Sequence, residues 1–197
     1  MVTRICVFCG SSPGSRTIYG QQAKALGRLL AAKGIGLVYG GGNVGLMGII
    51  ADAVIQASGE VIGIIPRALL DAEIGHQGLS ELRVVGSMHE RKAMMAELSD
   101  AFIALPGGFG TFEEFCEVVT WSQLGLHRKA CGLLNVAGYY DSLLALFDHA
   151  VQEGFLKPEH RSLVISDDDP EQLIYRIQKF EPPETPKWIT KNQRELL

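Results

Sequence analysis

The chain has 197 residues, with 18 basic and 22 acidic side chains, for a formal net charge of −4. Hydrophobic residues make up 47% and charged residues 20%, which excludes an intrinsically disordered chain and suits a single α/β domain. The mild acidic balance argues against a general nucleic-acid binder, and no apolar window is long enough for a membrane span. Short β-rich runs alternate with helical patterns from end to end. The predicted strands are 4–9, 36–39, 61–65, 82–86, 101–105, 130–134 and 163–165. Between them lie predicted helices at 17–33, 46–58, 88–98, 111–124, 139–153 and 170–179. That alternation specifies a doubly wound parallel sheet of about six or seven strands with helices on both faces. Tyr19, Ala23, Leu26 and Leu30 mark the buried stripe of the first helix. The stretch 66–81, opened by Pro66, is the one long irregular segment, of the kind that often forms a lid or binding loop. Residues 1–180 are expected to form one domain. Residues 181–197, with Pro182, Pro183, Pro186 and Trp188, are expected to form an extended tail.

Cys6, Cys9, Cys116 and Cys131 are too few and too scattered for a disulfide scaffold. Cys6 and Cys9 form C-x-x-C, but on a strand their odd separation sends them to opposite faces, and no second pair completes a zinc site. They read as small buried hydrophobes in a reducing cytoplasm.

The 23 glycines, about 12% of the chain against a usual 7%, are unevenly placed. Segments 10–14 (GSSPG), 40–48 (GGGNVGLMG) and 107–110 (GGFG) hold ten of them in 18 residues. Each follows a predicted strand and leads into a helix, so all three belong on the carboxyl edge of the sheet, where α/β ligands bind. Glycine lets a ligand approach the backbone closely, and helix N-termini add free N–H groups suited to phosphate. Gly40 to Gly45 formally matches G-x-G-x-x-G, but it follows the second strand. The next strand ends Ile64-Ile65-Pro66 without the acidic residue that a dinucleotide site uses, which disfavours a nicotinamide enzyme. No Walker motif, zincin motif or G-x-S-x-G elbow is present.

Two side chains stand out. Met88, Arg91, Met95 and Leu98 share one helical face behind the N-cap Ser87; the arginine needs an anionic partner if it is buried, or else snorkels to the rim of that face. Lys92 sits one step round the helix, placed to reach a phosphate from the side. In Pro106-Gly107-Gly108-Phe109-Gly110-Thr111-Phe112-Glu113-Glu114, the spacing of Thr111 and Glu114 fits a capping box. A glycine loop at a strand end, beside an arginine, fits a chemical role for Glu114 instead. Glu113 and Glu117 read as a solvated face, and Phe112, Phe115 and Val119 as core.

That stretch carries the PGGxGTxxE signature, and Met88-His89-Glu90-Arg91-Lys92 matches its upstream partner. Together with CGSSPG, GGGNVGLMG and TWSQLG, over about residues 3–180, the chain resembles the Lonely Guy family of cytokinin riboside 5′-monophosphate phosphoribohydrolases. Bacterial members of that family are often labelled lysine decarboxylase-like. The resemblance implies a Rossmann-like fold and a homodimer with sites near the interface; no cofactor is expected, and the missing metal-ligand spacing argues against a metal centre. The resemblance also implies hydrolysis of the N-glycosidic bond of AMP or an N6-modified AMP, giving base and ribose 5-phosphate. It places the catalytic pair on Arg91 and Glu114. Ligand contacts fall on Glu73, Lys92, the run Gly107, Gly108, Phe109, Gly110, Thr111, Phe112 and Glu113, and Thr120. Ser11, Gly41, Gly42, Asn43 and Gly45 complete the pocket. Glu114 would stabilise an oxocarbenium-like sugar or position water, and Arg91 would bind phosphate or stabilise the departing purine. Pyridoxal-phosphate chemistry is disfavoured, because Lys92 is the only lysine near the site and Arg91 points further inward. A carrier of nucleotide or molybdenum cofactor on the same fold is the competing expectation.

Overall fold

The computed structural model describes residues 1–70, 75, 76 and 78–183. Seven strands, β1 (Arg4–Phe8), β2 (Gly36–Tyr39), β3 (Val61–Pro66), β4 (Glu81–Val85), β5 (Ala101–Ala104), β6 (Ala130–Leu134) and β7 (Val164–Asp167), form one sheet. Its order is β4-β3-β2-β1-β5-β6-β7, and every pairing is parallel. The helices are α1 (Thr17–Ala32), α2 (Gly45–Gln56), α3 (Arg67–Leu70), α4 (Met88–Glu97), α5 (Phe109–Gln123), α6 (Asp141–Gln152), α7 (Pro158–Arg161) and α8 (Pro170–Gln178).

The apolar strands are continuous because helices cover both faces, and the two-residue period divides each strand between two cores. Ile5, Val7, Leu37, Tyr39 and Ile103 pack beneath α1, α2 and α8. Cys6, Phe8, Val38, Phe102 and Leu133 pack beneath α4 and α5. Cys9 joins the first core and Cys6 the second, and both are free thiols pushed well up by burial. Ala23, Leu26 and Leu30 are fully buried along α1, the stripe that the periodicity predicts. Ser87 caps α4 by accepting from the N–H of Glu90 at 3.1 Å.

Successive crossovers run outward in opposite directions from β1 and β5, so the strand order reverses between these neighbours. Their carboxyl ends open a crevice, the usual ligand position in such sheets. The described residues of the stretch 66–81 are less irregular than the sequence suggests. Pro66 closes β3 instead of opening a loop, Arg67–Leu70 turns helically, and Gly75 bridges to Gly42. Residues 184–197, including Pro186 and Trp188, lie outside the described residues. Among the described residues no helix is long and apolar enough to cross a membrane.

Candidate active site

The three glycine segments meet at the crevice and are tied together through one residue. The Gly10 N–H donates to the Pro106 carbonyl at 3.0 Å, and the Gly10 carbonyl accepts from Leu46 N–H at 3.0 Å. Between them lies a cleft of about 260 Å³. Cys9, Gly10 and Ser11 line it after β1, Gly40 and Met47 after β2, and Gly108 to Thr111 with Glu114 after β5. Arg91 and Met95 of α4 close the remaining side.

The third loop is built to present amides. Tyr140 Oη donates to the Leu105 carbonyl at 2.6 Å, and Tyr139 Oη to the Gly107 carbonyl at 2.5 Å. Gly10 occupies Pro106, and Phe112 N–H occupies Gly108 at 3.1 Å. Four successive carbonyls are therefore engaged. Among the described residues no side chain caps α5, so its first-turn N–H groups are free of partners there and carry the positive end of the helix dipole. The helix starts at Phe109 with Gly108 as N-cap, two residues earlier than the sequence predicts. Thr111 thus lies inside the first turn, and the capping-box reading of Thr111 and Glu114 does not hold.

Arg91 is 8% exposed and faces the cleft with no carboxylate within 4 Å among the described residues. Its Nη2 donates to the Gly40 carbonyl at 3.3 Å, its Nη1 to Met88 Sδ at 3.4 Å, and its buried Nε has no partner among the described residues. A buried cation so poorly compensated calls for an anion. The Glu114 side chain, half-buried across the cleft, makes no hydrogen bond or ion pair among the described residues. Burial pushes its carboxyl up to about 7, against the opposing pull of the Arg91 charge.

Several residues implied by the resemblance sit elsewhere. Lys92 is buried outside the cleft lining, with Nζ 2.5 Å from Glu113 and 2.9 Å from Glu117. Glu113 and Glu117, expected on a solvated face, are its counter-ions. Burial pulls the Lys92 pKa down, but the two carboxylates outweigh that and leave it raised. Such an ammonium does not suit Schiff-base chemistry, which needs the neutral amine. Gly41 and Gly42 are held from outside the cleft, by the N–H of His76 at 3.2 Å and the bridge to Gly75. Asn43 is exposed, and Gly45 at φ +57° packs against the Ser11 backbone. Phe112 packs on Tyr140, Gly107 lies behind the lining, and Thr120 turns outward with its hydroxyl on the Cys116 carbonyl at 2.7 Å. Glu73 lies outside the described residues. Sequence reading missed Gly40, Tyr139 and Tyr140, whose roles depend on contacts across 51, 32 and 35 residues. Among the described residues no three His, Cys, Asp or Glu side chains group as metal ligands.

A parallel α/β sheet defines a Rossmann-like domain, and its crevice holds an amide-lined loop, a raised carboxyl and an arginine with no carboxylate partner among the described residues. Comparison with known proteins narrows this class. The family model described as "Possible lysine decarboxylase" matches residues 47–177. A probable cytokinin riboside 5′-monophosphate phosphoribohydrolase of Oryza sativa subsp. japonica is 53% identical over 177 residues, covering 90% of this chain and 79% of that protein. A cytokinin riboside 5′-monophosphate phosphoribohydrolase of Arabidopsis thaliana is 51% identical over 179 residues, covering 91% and 83%. The chain belongs to the Lonely Guy family of these phosphoribohydrolases.

Among solved structures, the molybdenum cofactor binding protein of Rippkaea orientalis matches with a TM-score of 0.69 at 24% identity, covering 91% of this chain and 97% of that one. The molybdenum cofactor carrier protein of Chlamydomonas reinhardtii gives 0.68 at 20% identity, with 91% and 98% coverage. At such identities these two show the shared fold alone.

Proposed function

We propose that this chain hydrolyses the N-glycosidic bond of a purine nucleoside 5′-monophosphate, an N6-modified cytokinin nucleotide or AMP, to free base and ribose 5-phosphate. The observation that carries this reading is the buried Arg91, without a carboxylate partner among the described residues, facing the raised carboxyl of Glu114 across an amide-lined cleft. The α5 N-terminus holds the 5′-phosphate, and its binding energy orients the ribose. As the C1′–N bond breaks, the electron pair leaves with the purine, and the sugar becomes oxocarbenium-like. The Glu114 carboxylate stabilises that charge and directs a water to C1′. Water oxygen bonds to carbon, and its proton balances the one taken up by the departing base. Arg91 supplies positive charge to the phosphate or to the leaving purine. An Arg91→Ala variant separates these roles, raising KM in the first case and lowering kcat in the second.

The direct test is chromatographic: purified protein is incubated with isopentenyl-AMP or AMP, and free base and ribose 5-phosphate are followed. Release of both products supports the hydrolase, and the relative rates rank the two substrates. Nucleotide binding without either product overturns it in favour of a carrier. The homology favours the enzyme, since the relatives at about half identity are phosphoribohydrolases while the carriers match only distantly.

A homodimer belongs to the same reading. No residue of α6 is fully buried, and its Leu146 together with Phe155 beyond it leaves apolar surface uncovered at 58% and 89% exposure. Light scattering should give twice the 21.4 kDa chain mass, and a monomer would exclude this assembly. Four unbridged cysteines support a cytoplasmic setting, and the −4 charge favours a small-molecule partner over nucleic acid.

A further inference from the structure

Among the described residues the guanidinium of Arg91 is aimed by very little. Its one strong acceptor there is the Gly40 carbonyl at 3.3 Å; the other contact is a thioether, a weak acceptor, and Nε has none. Gly40 also stands where a side chain would interfere. A Cβ built on it would fall on Arg91 Nη2, at 3.1 Å from Arg91 Cζ and 3.4 Å from Met47 Sδ. No backbone atom is among these nearest neighbours, and Gly40 is not in the left-handed region. An alanine here is therefore accessible to the main chain, and its methyl meets the movable end of one arginine. Gly41 and Gly45 differ, because their φ values of +78° and +57° need glycine for the path of the chain itself.

We infer that Gly40 is a positioning residue: its carbonyl aims the Arg91 guanidinium into the cleft, and its missing side chain is the space that guanidinium occupies. Of the glycines in this loop, Gly40 serves the reacting site and Gly41 serves the fold. The inference rests on the proposed part of Arg91 in turnover.

The experiment compares wild type, Gly40→Ala, Arg91→Ala and the double variant, by steady-state hydrolysis of isopentenyl-AMP and by thermal unfolding, with Gly41→Ala as the backbone control. Gly40→Ala should keep its melting temperature within about 2 °C of wild type. Its kcat/KM should nevertheless fall about 100-fold, the scale of a roughly 1 Å misplacement. Gly41→Ala should unfold at clearly lower temperature. In the double variant, Gly40→Ala should add no loss beyond Arg91→Ala, because the group it displaces is already gone. Wild-type kcat/KM in Gly40→Ala overturns the inference, as do losses that multiply in the double variant or a melting temperature that collapses with Gly40→Ala alone. A fully active Arg91→Ala fails differently: it removes Arg91 from the mechanism, and the proposed function is then what falls.

Discussion

Glu114 puts chemistry and stability in opposition within one side chain. Its carboxyl is held at about 7 in the folded protein, above an ordinary 4.5, because burial outweighs the Arg91 charge. Between these values the native state keeps a proton that the unfolded chain has lost, so stability falls as pH rises from 4.5 through 7. Above 7 the penalty is complete, up to about 3 kcal/mol. Glu114→Gln should therefore unfold several degrees higher than wild type at pH 8 and show no gain near pH 4, as a thermal melt at both values will check. The same variant should lose turnover while still binding nucleotide. In the wild type, kcat/KM should climb as pH passes through about 7, because the working form is the carboxylate. A flat profile would detach Glu114 from the rate. Arg91 and Glu114 are both legible in the sequence, through an arginine in an apolar stripe and a carboxylate behind a glycine loop. The pairing of Lys92 with Glu113 and Glu117 is not, because it joins two helices whose separation in space no local pattern records.

At the level of elements, the glycine loop that opens α5, the proposed phosphate site, is defined by what holds its carbonyls. The connection after β6 contributes Tyr139 and Tyr140, which take Gly107 and Leu105, and the rings stack edge-on with centroids 5.1 Å apart. Tyr139 is partly exposed, whereas Tyr140 is buried at 1%. Tyr139→Phe keeps the ring and frees the Gly107 carbonyl next to water, at a cost of about 1 kcal/mol or less. It should raise KM for the nucleotide with little change in melting temperature. Tyr140→Phe leaves a buried carbonyl unpaired and should destabilise by about 1–3 kcal/mol in a denaturant titration. Strand positions follow from composition, because runs such as VIGII and AFIAL satisfy a sheet covered on both faces. The start of α5 was hidden by a stronger local signal: Thr111 and Glu114 have capping-box spacing, yet the glycine before Phe109 takes the cap.

Across the whole molecule, the order of strands is what brings residues 10, 40, 91 and 114 to one crevice, and alternation of strand and helix was sufficient to foresee that edge. One further anchor lies at the opposite end of the sheet. His127 Nε2–H donates to the Val118 carbonyl at 2.9 Å, while Nδ1 accepts from Lys129 N–H at 3.1 Å. Burial lowers its pKa to about 4 from 6.5, with Lys129 adding to the shift and the Val118 bond opposing it. Its contribution is whole above pH 6.5 and is lost as pH falls towards 4, where the unfolded chain takes the proton more readily. His127→Gln should flatten the dependence of melting temperature on pH across that window. The knot at Gly10 has a different consequence. It joins segments 36 and 96 residues away, to Leu46 and Pro106, so it closes only after the central strands have met. Contacts of such long sequence separation form late. A chain emerging from the ribosome carries two of its three glycine loops long before it carries a crevice, which is complete only when Glu114 has been synthesised and β5 has docked.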